Sequence, residues 1–259
     1  MVKVQPEENR FTNERKDCFG NHRKEIIMDT LDNNKRKETT AEDGRKVIEI
    51  EVPDDDAVST VGWDAITAEC LRRYPNQKEP KHYGTVHPWY LGGPDPLDGM
   101  DVYDGGDYWH FVTYGLSELY DKVSEDPEWS GYGMEFTYKL KKDTYDDLEK
   151  EISCVWNILQ TIAKITFSNG TLFLANQMIY TGQTEGIDAK QKSNLTGFIT
   201  IPDTELNTIE TPNGRVEFVE FIGATNEELL AIKNREINVQ GLYEKIGSDI
   251  TDYHRDSVI

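Results

Sequence analysis

Hydrophobic positions change their period along this chain, and the changes mark its elements. Up to residue 46 charges of both signs alternate, with Asn33-Asn34-Lys35-Arg36-Lys37 and Glu42-Asp43-Gly44 reading as solvated stretches. The one apolar side there, Ile26, Ile27 and Leu31, suits a short helix over His22–Leu31. Residues 1–46 are therefore expected to be a charged, flexible extension, and 47–259 the folded domain. Val47, Ile48, Ile50 and Val52 form a strand-like run that Pro53 and Asp54–Asp56 end. Thr60–Tyr74 has its apolar residues at helical spacing, with Arg72 and Arg73 in the last turn, where cations suit the helix dipole, and Pro75 beyond as a stop.

Period-two alternation then takes over. Tyr108–Tyr114 predicts a strand with Trp109 and Phe111 on one face and Tyr108, His110 and Val112 on the other. In Gly131–Leu140, Tyr132, Met134, Phe136, Tyr138 and Leu140 alternate with Gly, Glu, Thr and Lys, predicting one buried and one wetter face. The longest helix is expected over Thr144–Thr166, where Leu148, Ile152, Val155, Trp156, Leu159, Ile162 and Ala163 form one stripe, capped by Asp143 or Thr144. Short strands follow at Met178–Tyr180, Gly197–Pro202 and, after the Pro212-Asn213-Gly214 turn, Arg215–Ile222. Helices are expected at Thr225–Ile232 and Val239–Ile246, and Ile250–Arg255 as a closing strand. Interspersed strands and helices predict a mixed α/β layered fold with a central sheet.

The stretch from His82 to Asp121 combines dense Tyr and Trp with a Gly92-Gly93-Pro94-Asp95-Pro96 turn cluster. Aromatics bury large areas, and such turn residues fix or reverse the backbone, so the combination predicts a folded scaffold presenting a shaped surface. Charge sharpens this. Residues 1–46 hold 11 basic and 10 acidic groups; taken from the chain's 28 and 48, these leave 17 and 38 in residues 47–259, a net of −21. That field repels phosphate backbones, so nucleic acid is not an expected partner, and it favours a basic protein. No apolar run reaches the ~20 residues of a membrane span, and the N-terminus lacks the apolar core of a signal peptide. Cys18, Cys70 and Cys154 are too sparse for a disulfide or zinc framework, which points to the reducing cytoplasm.

His82, His87 and His110 lie near aspartates, a set from which a divalent-metal hydrolase can be imagined, yet HExxH and two-His-one-carboxylate spacings are absent and no metal or cofactor is expected. Gly115-Leu116-Ser117-Glu118 lacks the second glycine of a nucleophile elbow, and neither GxGxxG nor a Walker loop occurs. Asp95 and Asp98 between Gly and Pro make turns more readily than an acid–base pair. The expectation is a binding module, not an enzyme.

At these residues the chain resembles the suppressor of fused family. The resemblance begins at Gly62-Trp63-Asp64-Ala65-Ile66. It is strongest at Trp89-Tyr90-Leu91-Gly92-Gly93-Pro94-Asp95-Pro96-Leu97-Asp98 and at Tyr114-Gly115-Leu116-Ser117-Glu118-Leu119-Tyr120. It runs on through Gly131–Thr137, Thr211-Pro212-Asn213-Gly214 and Phe221-Ile222-Gly223. It implies a single suppressor-of-fused-like α/β domain without catalytic activity that works by binding protein. Animal members grip a peptide that pairs as a strand; bacterial members of similar size look like immunity proteins, antitoxins that neutralise toxins, often nucleases. Carried over residue by residue, it implies Tyr108, His110, Tyr114 and Asp121 as partner-binding candidates and Gly92, Gly93, Pro94 and Asp95 as scaffold turn. The expected partner is a cognate toxin or a peptide segment.

Overall fold

The computed structural model describes residues 59–87, 89 and 92–259, together with three strand segments nearer the N-terminus. Those segments are β1 (Lys3–Val4), β2 (Arg36–Thr40) and β3 (Lys46–Ile50). The helix expected at 22–31 lies outside the described residues. β2 and β3 pair as an antiparallel hairpin, so the β-type run from Val47 does form a strand. The rest follows as α1 (Val61–Arg73), β4 (Lys81–Gly84), β5 (Gly99–Asp104), β6 (Tyr108–Tyr114), β7 (Trp129–Lys141) and α2 (Leu148–Asn169). Then come β8 (Met178–Tyr180), β9 (Leu195–Pro202), β10 (Ile209–Thr211), β11 (Gly214–Thr225), α3 (Asn226–Lys233) and α4 (Val239–Ile246).

Nine of these strands form one mixed sheet in the order β1-β8-β9-β11-β7-β6-β5-β4, with β10 paired to β11. Its ladders are antiparallel except at the centre, where β7 and β11 run parallel. The segment expected to close the sheet after Ile250 makes a single bridge, Thr251 to Leu140 of β7.

α2 covers one face of the sheet. Its stripe of Ile152, Val155, Leu159, Ile162 and Ala163 packs on Phe111, Met134, Phe136, Tyr138 and Leu140, which the period-two alternation turns to that side. The helix starts four residues later than the periodicity suggested. Asp143 takes a left-handed φ of 65° and ends the preceding strand in a turn. The carboxylate of Asp147 accepts from the Lys150 N–H, which makes it the cap. Gly170, left-handed at φ 71°, ends the helix three residues beyond the expected Thr166.

The opposite face carries two helical caps. α1 packs Ile66, Cys70 and Tyr74 on Tyr103, Val112 and Tyr114. α3 and α4 pack Leu229, Val239 and Leu242 on Ile199, Ile201 and Ile222. The alternating polar residues of β7 were expected to be wet, but Glu135, Thr137 and Lys139 are buried. Their side chains enter the seam between the two caps. Buried polar atoms require partners, so that seam must be a connected polar network.

α1 also approaches the chain closely at its start. A Cβ on Gly62 would sit 2.0 Å from the Glu118 carbonyl oxygen. Glycine lets the Gly62 and Trp63 N–H groups reach the Leu119 carbonyl at 3.1 and 3.0 Å.

Candidate functional site

β6 is the spine of the region to which sequence reasoning assigned function. Tyr108, His110, Val112 and Tyr114 share its inner face beneath α1, and Trp109 and Phe111 take the other, as the alternation required. His110 is fully buried. Its Nδ1 lies 2.8 Å from the Tyr74 hydroxyl and its Nε2 2.9 Å from Asp203 Oδ2. Tyr74 and Tyr108 both donate to Glu205 Oε2, at 2.8 and 2.6 Å, and Arg73 pairs with Glu205 Oε1 at 2.7 Å. Burial alone would raise the Glu205 carboxyl, but hydrogen bonds from Arg73, Tyr108 and Tyr74 outweigh it and hold it down at about 2. Arg72 joins Glu69 at 2.8 Å and the Glu205 carbonyl at 2.6 Å. The two arginines, explained from sequence by the helix dipole alone, thus also tie α1 to the loop after β9.

Tyr114 stands at the far end of the same face. Its ring stacks on Trp63 at 4.4 Å and its hydroxyl donates to the buried Asp101 at 2.9 Å. Asp101 also receives Tyr103 at 3.2 Å and lies 2.8 Å from His82 Nδ1; this hydrogen bond raises the His82 pKa. His82 and His110 are therefore held by different aspartates, and His87 is exposed. Among the described residues no group of three or more His, Cys, Asp or Glu could hold a metal ion.

Next to His110 the seam continues into a cluster around Lys139, whose ammonium lies 2.7 Å from Asp249, 3.0 Å from Glu220 and 3.8 Å from Asp203. It also donates to the Thr204 hydroxyl at 2.7 Å. Asp203 accepts from Thr137 and from the Glu205 and Leu206 N–H groups. Burial would raise the Asp203 carboxyl, but His110, Lys139 and Thr137 pull it well below the usual range. Glu220 is pushed far up by burial and by the charge of Asp203, and its Oε1 has no hydrogen-bond partner. Burial and the charge of Asp203 thus favour the neutral form of Glu220, while His110, Lys139 and Thr137 favour the ionised form of Asp203.

Two further buried carboxylates build the loop between β6 and β7. Glu135 Oε1 accepts from the N–H groups of Gly115, Leu116 and Ser117 and from the Ser117 hydroxyl. The Thr113 hydroxyl donates to its other oxygen. Glu118 accepts from the N–H groups of Val123, Ser124 and Gly131. The Gly-Leu-Ser-Glu run is thus a wrapped turn around carboxylates. It presents Asp121 at the surface beside Lys122, with Glu125 and Glu128 exposed farther along. Arg215 bridges Glu128 and Glu210, joining this loop to the β10–β11 hairpin in one acid-rich rim.

Of the four partner-binding candidates, the structure gathers Tyr108 and His110 around Asp203 and Glu205, places Tyr114 with Asp101, and leaves only Asp121 exposed. The turn candidates Gly93 and Asp95 both contact neighbouring segments. A Cβ on Gly93 would come within 1.7 Å of the His87 carbonyl oxygen, and Asp95 pairs with Lys164 of α2 at 2.8 Å. Neighbouring Leu97 is clamped at both its N–H and its carbonyl by Gln160. Sequence reasoning missed Asp203, Glu205, Lys139 and Glu220. The one available signal was a lysine and a glutamate on the inward-alternating side of apolar strands.

A mixed sheet capped on both faces, with its polar seam buried between the caps and an acidic loop rim, defines a class of α+β sheet domain whose accessible chemistry lies on its surface. The chain belongs to the suppressor of fused family: the model described as "Suppressor of fused protein (SUFU)" matches residues 93–256. The Suppressor of fused homologs of Homo sapiens and Mus musculus are each 29% identical, over 71% of this chain and 39% of theirs. The chain thus spans about two-fifths of those relatives. Among solved structures, a chain of "the Sufu-Fu complex crystal structure" aligns with a TM-score of 0.66 and 27% identity, covering 77% of this chain and 93% of that one. The crystal structure of Drosophila Suppressor of Fused aligns with a TM-score of 0.67 and 26% identity, covering 80% and 54%. Among the described residues no helix is long and apolar enough to cross a membrane.

Proposed function

We propose that this chain is a non-catalytic protein-binding domain of the cytoplasm, an immunity-type antitoxin that neutralises a basic protein, such as a nuclease toxin, by stoichiometric occlusion. The observation that carries the reading is the division of polar groups. His110, Tyr74, Tyr108, Asp203 and Glu205 are used up in internal hydrogen bonds, while Asp121, Glu125 and Glu128 face solvent from a loop pinned by Glu118 and Glu135. A rigid acidic rim on a strongly acidic domain steers a cationic surface to it and raises association rates. In this reading Asp121 meets the partner directly. Tyr108, His110 and Tyr114 act from beneath, holding α1 and the loop in place.

The test is affinity capture with the full chain and with Asp121→Lys/Glu128→Lys. The expected outcome is one basic protein in a stoichiometric complex. Its association slows with salt and with the charge reversal, and its own activity is blocked one-to-one. Capture that ignores both salt and charge reversal refutes it.

A second reading, capture of a linear peptide by strand addition, is favoured by the outer edge of β4. Among the described strands β4 pairs only with β5. The Thr85 N–H points to β5, at Asp98, so by alternation the His82 and Gly84 N–H groups face outward. Gly84→Pro would remove an outward donor and leave the ladder intact. Loss of a peptide partner in that variant, with the charge reversal silent, would select this reading.

A further inference from the structure

The imidazole of His82 lies in a seat built across the outer two strands of the sheet. Gly84 of β4 and Gly99 of β5 are register partners, and neither carries a side chain to fill the space on the α1 side. A Cβ on Gly99 would sit 2.7 Å from His82 Cε1, and one on Gly84 would sit 3.4 Å from its Nε2. Trp63 of α1 closes the seat, with 5.7 Å between ring centroids. His82 Nδ1 meets Asp101 Oδ1 at 2.8 Å, across the register pair that the two residues form. That carboxylate is buried and held from within by the hydroxyls of Tyr114 and Tyr103. The His82 side chain itself is 45% exposed, so solvent protons reach it. β4 is the element such a contact can control. It has four residues, and among the described strands it pairs only with β5. A short strand held by one ladder is a segment that opens locally at low cost. Side chains of β4 anchor it on both faces. On the α2 side Lys81 and Tyr83 both bind Glu149; on the α1 side the anchor is His82.

We propose that His82 is a pH-sensitive latch on β4, closed on Asp101 when the imidazole is protonated and slackened when it is neutral. An imidazolium gives the carboxylate a charge-assisted hydrogen bond, roughly twice as strong as the one a neutral ring gives. Asp101, from β5, is the charge that acts on the ring. Tyr103 and Tyr114, from β5 and β6, meet it through that same carboxylate, and Trp63, from α1, is uncharged. The neighbouring cation, Lys81, is turned away to Glu149 on the other face. The hydrogen bond to Asp101 raises the His82 pKa above the ordinary 6.5. A raised folded value means that the latch contributes fully below pH 6.5 and fades as pH climbs through that value. The switch therefore works at the edge of neutrality, the range that histidine alone among unperturbed side chains covers. It is independent of the acidic rim and of whichever partner the rim binds.

The full chain, isotope-labelled, would be followed by amide hydrogen exchange at about pH 5.5, 6.5 and 8, each rate being divided by its intrinsic value at that pH. The Tyr83 and Thr85 amides, which point to β5, report on β4, and the amides of β6 serve as the internal reference. Protection of the β4 amides is expected to fall at least about twofold from the lowest pH to the highest while β6 holds steady. In His82→Gln the β4 profile is expected to stay level. Glutamine keeps a donor for Asp101 at a half-exposed edge position, so this variant folds. NMR titration of the His82 ring is expected to give a pKa above that of a histidine in an unfolded peptide. A level β4 profile in the parent, a fall that persists in His82→Gln, an equal fall in β6, or a ring titrating at or below the ordinary value overturns the proposal.

Discussion

Lys139→Met is the sharpest probe of the polar seam. The substitution keeps an unbranched side chain of similar length and removes the ammonium that lies 2.7 Å from Asp249, 3.0 Å from Glu220 and 3.8 Å from Asp203. Removing one partner of a buried ion pair costs about 3–5 kcal/mol, because the remaining charge is left without compensation. Several features argue for the lower end. Burial favours the neutral form of Glu220, Asp203 retains His110, Thr137 and two backbone donors, and Asp249 is partly solvated. The expected loss is about 3 kcal/mol, or roughly 10 °C in melting temperature for a domain of this size. The companion Glu220→Gln should change stability by less than about 1 kcal/mol, since burial already disfavours the charged form that the neutral amide removes. Urea unfolding followed by tryptophan fluorescence, with both single variants and the double, measures the three values. A loss in Lys139→Met below about 1 kcal/mol, or a Glu220→Gln loss matching that of Lys139→Met, refutes the assignment of charges in the seam.

The remaining expectations are briefer. Glu205 falls from an ordinary 4.5 to about 2 on folding, so between these values the unfolded chain holds more protons. Its contribution is therefore present above about pH 4.5 and lost as pH falls toward 2; Glu205→Gln should flatten that limb of a stability–pH curve. Glu135→Ala strands the N–H groups of Gly115, Leu116 and Ser117 at about 1–3 kcal/mol each before water enters, so hydrogen exchange in 115–131 should rise well ahead of exchange in β7. Gly62→Ala drives a methyl against the Glu118 carbonyl oxygen and should cost about 1–3 kcal/mol, visible as a lowered urea midpoint with unchanged slope.

The alternation of apolar residues in Tyr108–Tyr114 and Gly131–Leu140 was enough to find β6 and β7 and to sort their faces, because a strand turns every second side chain the same way whatever packs on it. It could not say that both faces are covered. Polar residues at every second position read as solvent-facing, yet Glu135 and Lys139 face inward to partners contributed by distant segments. Lys139 meets Asp249 across 110 residues and Glu220 across 81. No local window holds such pairs. β4 and β5 escaped for a different reason: Gly99–Asp104 mixes aspartates with apolar residues because Asp101 is an inward acceptor for Tyr103 and Tyr114. The family resemblance did more than periodicity, since its glycines and its Leu-Ser-Glu run proved to mark close approaches and wrapped carboxylates. It drew attention to β6 but could not show that His110 points inward.

The parallel pairing at the centre of the sheet also has a kinetic meaning. β4, β5, β6 and β7 are consecutive antiparallel neighbours, a meander that can close as soon as Lys141 has left the ribosome. β11, their parallel neighbour, arrives more than seventy residues later, after its own side of the sheet has begun to assemble. Joining the two halves is a long-range event, and such pairings are slow relative to local ones. Lys139 belongs to the first half; Asp203, Glu220 and Asp249 belong to the second. A docking slipped by one residue would turn Glu220 to the α2 face and leave the ammonium facing hydrocarbon. The charged cluster thus acts as a checkpoint in assembly, admitting one alignment of the two half-sheets and penalising its neighbours.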